Sequence, residues 1–144
     1  MKGSYILILQ LPEQQTITIG SLPDVYFPRG HYAYVGSAMG GLKSRLSHHL
    51  QGSKKPRWHI DYLLQRASIS SIILYETGEK TECTIAEALS HQFDSIPAFG
   101  CSDCRCRSHL FFSTEEMKPM IMATLKLLAK AKSGSWLIHY CVVK

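Results

Sequence analysis

The sequence predicts an α+β domain: a small, mainly antiparallel β-sheet flanked by helices. Three observations carry that prediction. β-Branched or alternating runs occur at Gly3–Leu11, Thr16–Ile19, Gly30–Val35 and Ser68–Glu76. Helically spaced apolar residues occur at Leu42–Leu50 and again at Met120–Lys132. Pro12-Glu13, Gly20, Gly78-Glu79-Lys80 and Ser133-Gly134-Ser135 punctuate these runs as turns and breaks.

Taken in order, Gly3–Leu11 is the first strand and ends at Pro12-Glu13. Thr16–Ile19 alternates Thr and Ile and closes at Gly20. Gly30–Val35 puts Tyr32 and Tyr34 on one face and Ala33 and Val35 on the other. Leu42, Leu46 and Leu50 form the apolar stripe of a short helix, with Arg45 and His49 on a neighbouring face and His48 pointing elsewhere. Pro56 starts the next helix, running through Gln65. Ser68–Glu76 is a strand, and a helix from Thr81 or Thr84 to Gln92 follows. Ser95–Arg107 reads as irregular and Leu110–Phe112 as a short strand. Ser113 with Glu116 resembles a capping box, and Pro119 then predicts a kink or restart before Met120–Lys132. Trp136–Val143 is the final strand.

With 144 residues, the chain is long enough for one domain with its own core. Residues 1–112 are read as the functional unit, and 113–144 as a helix-and-strand extension packed on the same domain. Its longest apolar run, Ile6-Leu7-Ile8-Leu9, is far too short to span a membrane. No secretory leader pattern opens the sequence, so a cytoplasmic protein is expected. Five cysteines without such a leader argue against a disulfide framework. A formal net charge of +5 favours a polyanionic partner. The basic residues cluster between Arg29 and Arg66, which an enzyme of small neutral metabolites would not need.

Within that basic region, Tyr34-Val35-Gly36-Ser37 runs into a glycine-rich turn and then into the helix that carries Arg45 and His49. With Gly3-Ser4-Tyr5, the Tyr34-Val35-Gly36 segment resembles the two half-motifs of the GIY-YIG nuclease superfamily. Those half-motifs belong on neighbouring strands, so Gly30-His31-Tyr32, on the strand of Tyr34 itself, is a decoy. Trp58-His59-Ile60-Asp61-Tyr62-Leu63 and the stretch from Gly100 to Leu110 narrow the resemblance to the subfamily called domain of unknown function 123. That resemblance runs from Gly3 to about Phe112. The chain departs from the superfamily in three ways. An extra segment separates the half-motifs, Ser4 replaces an aliphatic residue, and no asparagine is present.

The resemblance implies a metal-dependent endonuclease that hydrolyses phosphodiester bonds in DNA rather than RNA. It reads structure more than sequence, and DNA repair is a fitting role. One of Tyr5 and Tyr34 takes a proton from the attacking water and the other positions water or phosphate; the sequence leaves open which does which. Arg45 grips the phosphate with its planar fork, and His49 assists with phosphate or proton. Glu82 matches the superfamily's metal-binding glutamate and is assigned to Mg²⁺ or Mn²⁺. Glu87 is its rival, but Thr84-Ile85-Ala86-Glu87 reads as a capping box. Gly36, Ser37, Lys43, Lys54, Lys55 and His59 are assigned to nucleic-acid contact. Asp61 is a secondary acid/base candidate beside His59, or else an ion-pair partner of Arg57.

Cys101, Cys104, Cys106 and His109 are soft-metal ligand types within nine residues, which raises Zn²⁺, although Cys-x-Cys is cramped for a single tetrahedral ion. A structural turn and redox-sensitive thiols are the alternatives. Cys83 and Cys141 read as isolated buried hydrophobes. Two other functions stay open: a non-catalytic nucleic-acid-binding module on the same fold, and a zinc-stabilised interaction domain.

Overall fold

The central strand β1 (Gly3–Leu11) is apolar at nearly every position because it is covered on both faces. On one side it pairs antiparallel with β4 (Gly30–Ser37), and on the other with β5 (Ser68–Glu76). β7 (Leu110–Ser113) joins β4, the two-residue β6 (Asp94–Ser95) joins β7, and β8 (Leu137–Val142) joins β5. The sheet order is β6-β7-β4-β1-β5-β8, antiparallel throughout. This computed structural model describes residues 2–21, 23–50, 55–56, 58–97, 99–100, 106–131 and 137–142.

Strand alternation sorts the core into two. Tyr5, Leu7, Leu9, Tyr32 and Tyr34 face one layer, with Ile60 and Leu63 of helix α2 (His59–Leu64). Ile6, Ile8, Ala33 and Val35 face the other. There they meet Ile85 and Leu89 of α3 (Glu82–Ser90), and Ile121 and Leu125 of α4 (Lys118–Lys130). Helix α1 (Leu42–Leu50) follows β4 directly and packs beside β1.

Several local expectations change. The segment between the half-motif strands forms its own two-stranded ladder, β2 (Gln15–Ile17) with β3 (Val25–Phe27). α2 begins at His59 rather than at Pro56. Asp61 accepts a 2.9 Å hydrogen bond from the Trp58 backbone N–H, so the extended residue Trp58 becomes the cap. Pro119 causes no kink, because it sits in the first turn of α4, where a missing N–H costs nothing. Ser113 caps a local turn instead, its Oγ accepting from the Glu115 N–H at 3.1 Å. Thr84 lies inside α3, whose cap position is Thr81, so the Thr84–Glu87 capping box does not form.

The β1–β4 register sets Tyr5 opposite Gly36. A Cβ at Gly36 would fall within the Tyr5 ring, against Cζ and Oη. Gly36→Ala is therefore expected to destabilise the fold by about 1–3 kcal/mol, the usual scale of overpacking. Urea unfolding of Gly36→Ala, Tyr5→Ala and the double variant checks this. The double variant should lose clearly less than the sum of the two single losses; additive losses would mean that the two positions do not touch.

Candidate functional site

Because β1 and β4 are neighbours, both half-motifs arrive at one end of the sheet. Tyr5 lies across Gly36 and reaches α1, where its hydroxyl is 2.6 Å from His49 Nε2. Both side chains are buried. Tyr34 stands beside them, its ring centroid 6.4 Å from that of Tyr5. Burial pushes both phenol pKa values well above the ordinary range, and the Arg45 guanidinium opposes the shift.

Helix α1 presents Arg45 four residues before His49, as its period requires. The Arg45 guanidinium carbon lies 4.4 Å above the centre of the Trp58 ring, a cation–π arrangement that limits its rotamers. His48 does not point away from this group. Its Nε2 is 3.0 Å from Asp61 Oδ2, while His49 Nδ1 is 3.8 Å from Asp61 Oδ1. Trp58 packs against both imidazoles. Asp61, 1% exposed, thus joins α1 to the start of α2.

In front of this hub lies an open, polar pocket of about 520 Å³. Tyr34, Ser37, Arg45, Trp58, His59, Lys80 and Glu82 line it. Of the five residues expected to be catalytic, Tyr34, Arg45 and Glu82 form its wall, and Tyr5 and His49 stand behind it. Glu82 opens α3 and is held there indirectly, because Ser4 on β1 hydrogen-bonds the preceding Thr81 at 2.7 Å. His59 accepts a 3.1 Å hydrogen bond from the Gly100 N–H. Gly100 has φ +70°, and a Cβ there would press to 3.0 Å from Tyr34, so this turn needs glycine. Lys80 was not foreseen; its signal is a cation in the turn leading directly to Glu82.

Other expected contacts fall elsewhere. Gly36 is buried under Tyr5, and Lys55 is exposed outside the pocket wall. Lys54, Arg57, Cys101 and Cys104 lie outside the described residues, as do the side chains of Lys43 and Cys141.

A family model described as Domain of unknown function DUF123 matches residues 4–131. The chain belongs to that family. The match takes in Tyr5, both half-motif strands, the Asp61 hub, Glu82 and, beyond Phe112, α4. No curated protein and no solved structure matches the chain. No helix among the described residues is long and apolar enough to cross a membrane.

The DUF123 domain also gathers soft ligands, but not as the sequence spacing implied. Cys106 and His109 come together with Cys83 of α3, their ligand atoms all within 4.8 Å of one another. Cys83 is therefore neither isolated nor a core residue; it is partly exposed, 4.0 Å from His109 Nε2. The other His109 nitrogen, Nδ1, is 3.9 Å from Glu82 Oε2. Burial lowers the His109 pKa and favours the neutral ring.

Four buried tyrosines make the DUF123 domain sensitive to alkali. Burial raises the pKa of Tyr5, Tyr32 and Tyr34 from the ordinary phenol value of 10.0, and pushes Tyr75 up to about 12. A phenol with a raised folded-state pKa leaves stability unchanged while both states are protonated. Above pH 10.0 the unfolded chain ionises first, so the fold loses stability as pH rises. Urea midpoints should therefore be level just below pH 10.0 and fall above it. These phenolates should appear in ultraviolet absorbance together with loss of near-ultraviolet circular dichroism. Their titration with tertiary structure intact would contradict the burial argument.

Proposed function

We propose that this DUF123 domain is a metal-dependent endonuclease of the GIY-YIG type, acting on DNA in preference to RNA. One observation carries the reading: a phosphate-gripping arginine and a carboxylate share an open pocket, with a buried tyrosine–histidine hydrogen bond directly behind Arg45. Arg45 supplies a fork of donors for the scissile phosphate and offsets charge as phosphorus becomes five-coordinate. Ser37, His59 and Lys80 line the same wall and contact neighbouring backbone oxygens. None of these groups reads base identity, so recognition is of backbone and shape.

Water attacks phosphorus and the bond to the leaving oxygen breaks. The attacking water must lose a proton, and a phenol of raised pKa is mostly protonated at neutral pH. Tyr5 can accept that proton if it releases its own in the same step. His49 Nε2, at 2.6 Å, is the recipient. In this arrangement the His49 Nδ1–H faces Asp61, which stabilises the imidazolium that forms. Tyr34, on the pocket wall, positions the water, and the leaving oxygen is protonated from solvent.

The donor set fits Mg²⁺ or Mn²⁺. Glu82 is the one carboxylate among the described lining residues, and such a hard cation keeps several waters in an open pocket of this size. When bound, the ion polarises a phosphoryl oxygen and offsets its negative charge.

Labelled single-stranded, duplex, flap and nicked DNA, incubated with Mg²⁺, Mn²⁺ or EDTA, tests the reading. Metal-dependent cutting is expected. Arg45→Ala should slow it by about 10²–10³-fold, and Arg45→Lys should not restore it, because an ammonium lacks the planar fork. Salt-sensitive binding without cutting in any metal would replace the nuclease with a non-catalytic binding module.

The relay has its own signature. Tyr5→Phe and His49→Ala should each lower the cleavage rate by about 10²-fold or more, and the double variant should be little worse than either single one. Multiplying losses in single-turnover assays would separate the two residues and remove the relay.

A further inference from the structure

We propose that Cys83, Cys106 and His109 form a zinc site that fastens the start of α3 to the segment leading into β7. The three ligand atoms come from two chain segments, yet all lie within 4.8 Å of one another. In a tetrahedral site with ordinary zinc–sulfur and zinc–nitrogen bonds, donors stand roughly 3.6–3.8 Å apart. Cys83 Sγ and His109 Nε2 are already 4.0 Å apart, so closing onto an ion needs only small side-chain movements.

The positions are hard to explain by packing. Neither cysteine belongs to either hydrophobic core, and both are partly exposed. His109, by contrast, is held firmly. Its N–H donates to Phe99 O at 2.8 Å and its carbonyl accepts from Val35 N–H at 2.9 Å. These bonds fix its backbone, and its Nε2 lies 4.0 Å from Cys83 Sγ and its Nδ1 3.9 Å from Glu82 Oε2. A histidine that binds metal through one nitrogen commonly gives its other N–H to a carboxylate, and Glu82 occupies that place. Two thiolates and a neutral imidazole match the charge and softness of Zn²⁺. The fourth position is open to water in the cavity of about 660 Å³ that Cys83 and Cys106 line.

This site is separate from the pocket assigned to Mg²⁺ or Mn²⁺. One consequence rests on the nuclease reading: the zinc would steady Glu82, which is next to Cys83 in the chain and faces the same histidine at 3.9 Å. The ligand set itself does not depend on that reading.

The test is metal content, with no activity assay. Full-length protein purified under reducing conditions without added metal should carry about one zinc per chain by elemental analysis. Replacement by Co²⁺ should give thiolate-to-metal charge-transfer bands. Cys83→Ser should stay folded by circular dichroism and bind zinc more weakly by well over about tenfold, since losing a group that merely hydrogen-bonds a ligand already costs that much. Cys106→Ser should do the same, and Cys141→Ser should change nothing. The cobalt bands should have the intensity of two thiolates. A folded, reduced wild type that takes up neither metal overturns the site. So does Cys83→Ser with undiminished zinc affinity, or a native Cys83–Cys106 disulfide mapped by mass spectrometry. Zinc binding as expected, with no metal-dependent cleavage in the separate DNA assay, would defeat the nuclease reading alone.

Discussion

The structure depends on the contact between the Tyr5 ring and Gly36. A strand covered on both faces has its register set by which side chains each core accepts, and a one-residue slip would exchange them all. β1 is such a strand, with Tyr5, Leu7 and Leu9 in one core and Ile6 and Ile8 in the other. Opposite Tyr5 the neighbouring strand has no side chain, so the ring lies across the backbone and its hydroxyl emerges at α1. The same pairing sets Leu7 against Tyr34, which brings the second tyrosine to the same end of the sheet. Aromatic, glycine and histidine thus form one unit, and none of the three positions can shift without displacing the others.

The second constraint is electrostatic. Burying a carboxylate is costly unless it is hydrogen-bonded and paired. Asp61 accepts from the Trp58 N–H and faces His48 and His49 together. The helices that frame the pocket are therefore linked by a polar group rather than by apolar packing alone. Arg45, one turn before His49, sits against the Trp58 ring in that same joint. Buried polar contacts of this kind favour one geometry over near alternatives, which suits a site that must hold an arginine and two phenols in fixed relation.

Much of this was legible in the sequence, and for identifiable reasons. The strands β1, β4 and β5 announce themselves by alternation, and α1 by its leucine spacing. Tyr5, Tyr34, Arg45 and Glu82 could be singled out because they match positions of the GIY-YIG resemblance, and the fold gathers Tyr34, Arg45 and Glu82 at one pocket with Tyr5 behind it. The misreadings share a cause. Thr84 and Ser113 were each interpreted from local motifs, but where a helix starts was decided by neighbouring residues the motif ignores. His48 looked displaced because a helical wheel shows direction only, and Asp61 of another helix reaches it. Cys83 looked isolated because the histidine it meets in space is 26 residues away, across α3 and the turns that follow. Spacing motifs detect ligands close in the chain; they are blind to those assembled by folding.

Burial of Tyr5 raises a physical question that the proposed reaction has to answer. Desolvation makes a phenolate rarer at neutral pH but a stronger base when formed. A mechanism that required free phenolate would lose most of its enzyme to the protonated form. A phenol bonded to an imidazole escapes that cost, because it can receive one proton while passing another and never carries a full negative charge. Burial then becomes an advantage, since it excludes water that would compete for His49 Nε2 and keeps the 2.6 Å bond short. The same reasoning separates the two tyrosines. Tyr34 meets the pocket and touches His49 only ring to ring, whereas Tyr5 is hydrogen-bonded to His49 and, through it, faces Asp61. In the proposed reaction the tyrosine at the pocket wall arranges the reactants, and the one behind it moves the charge.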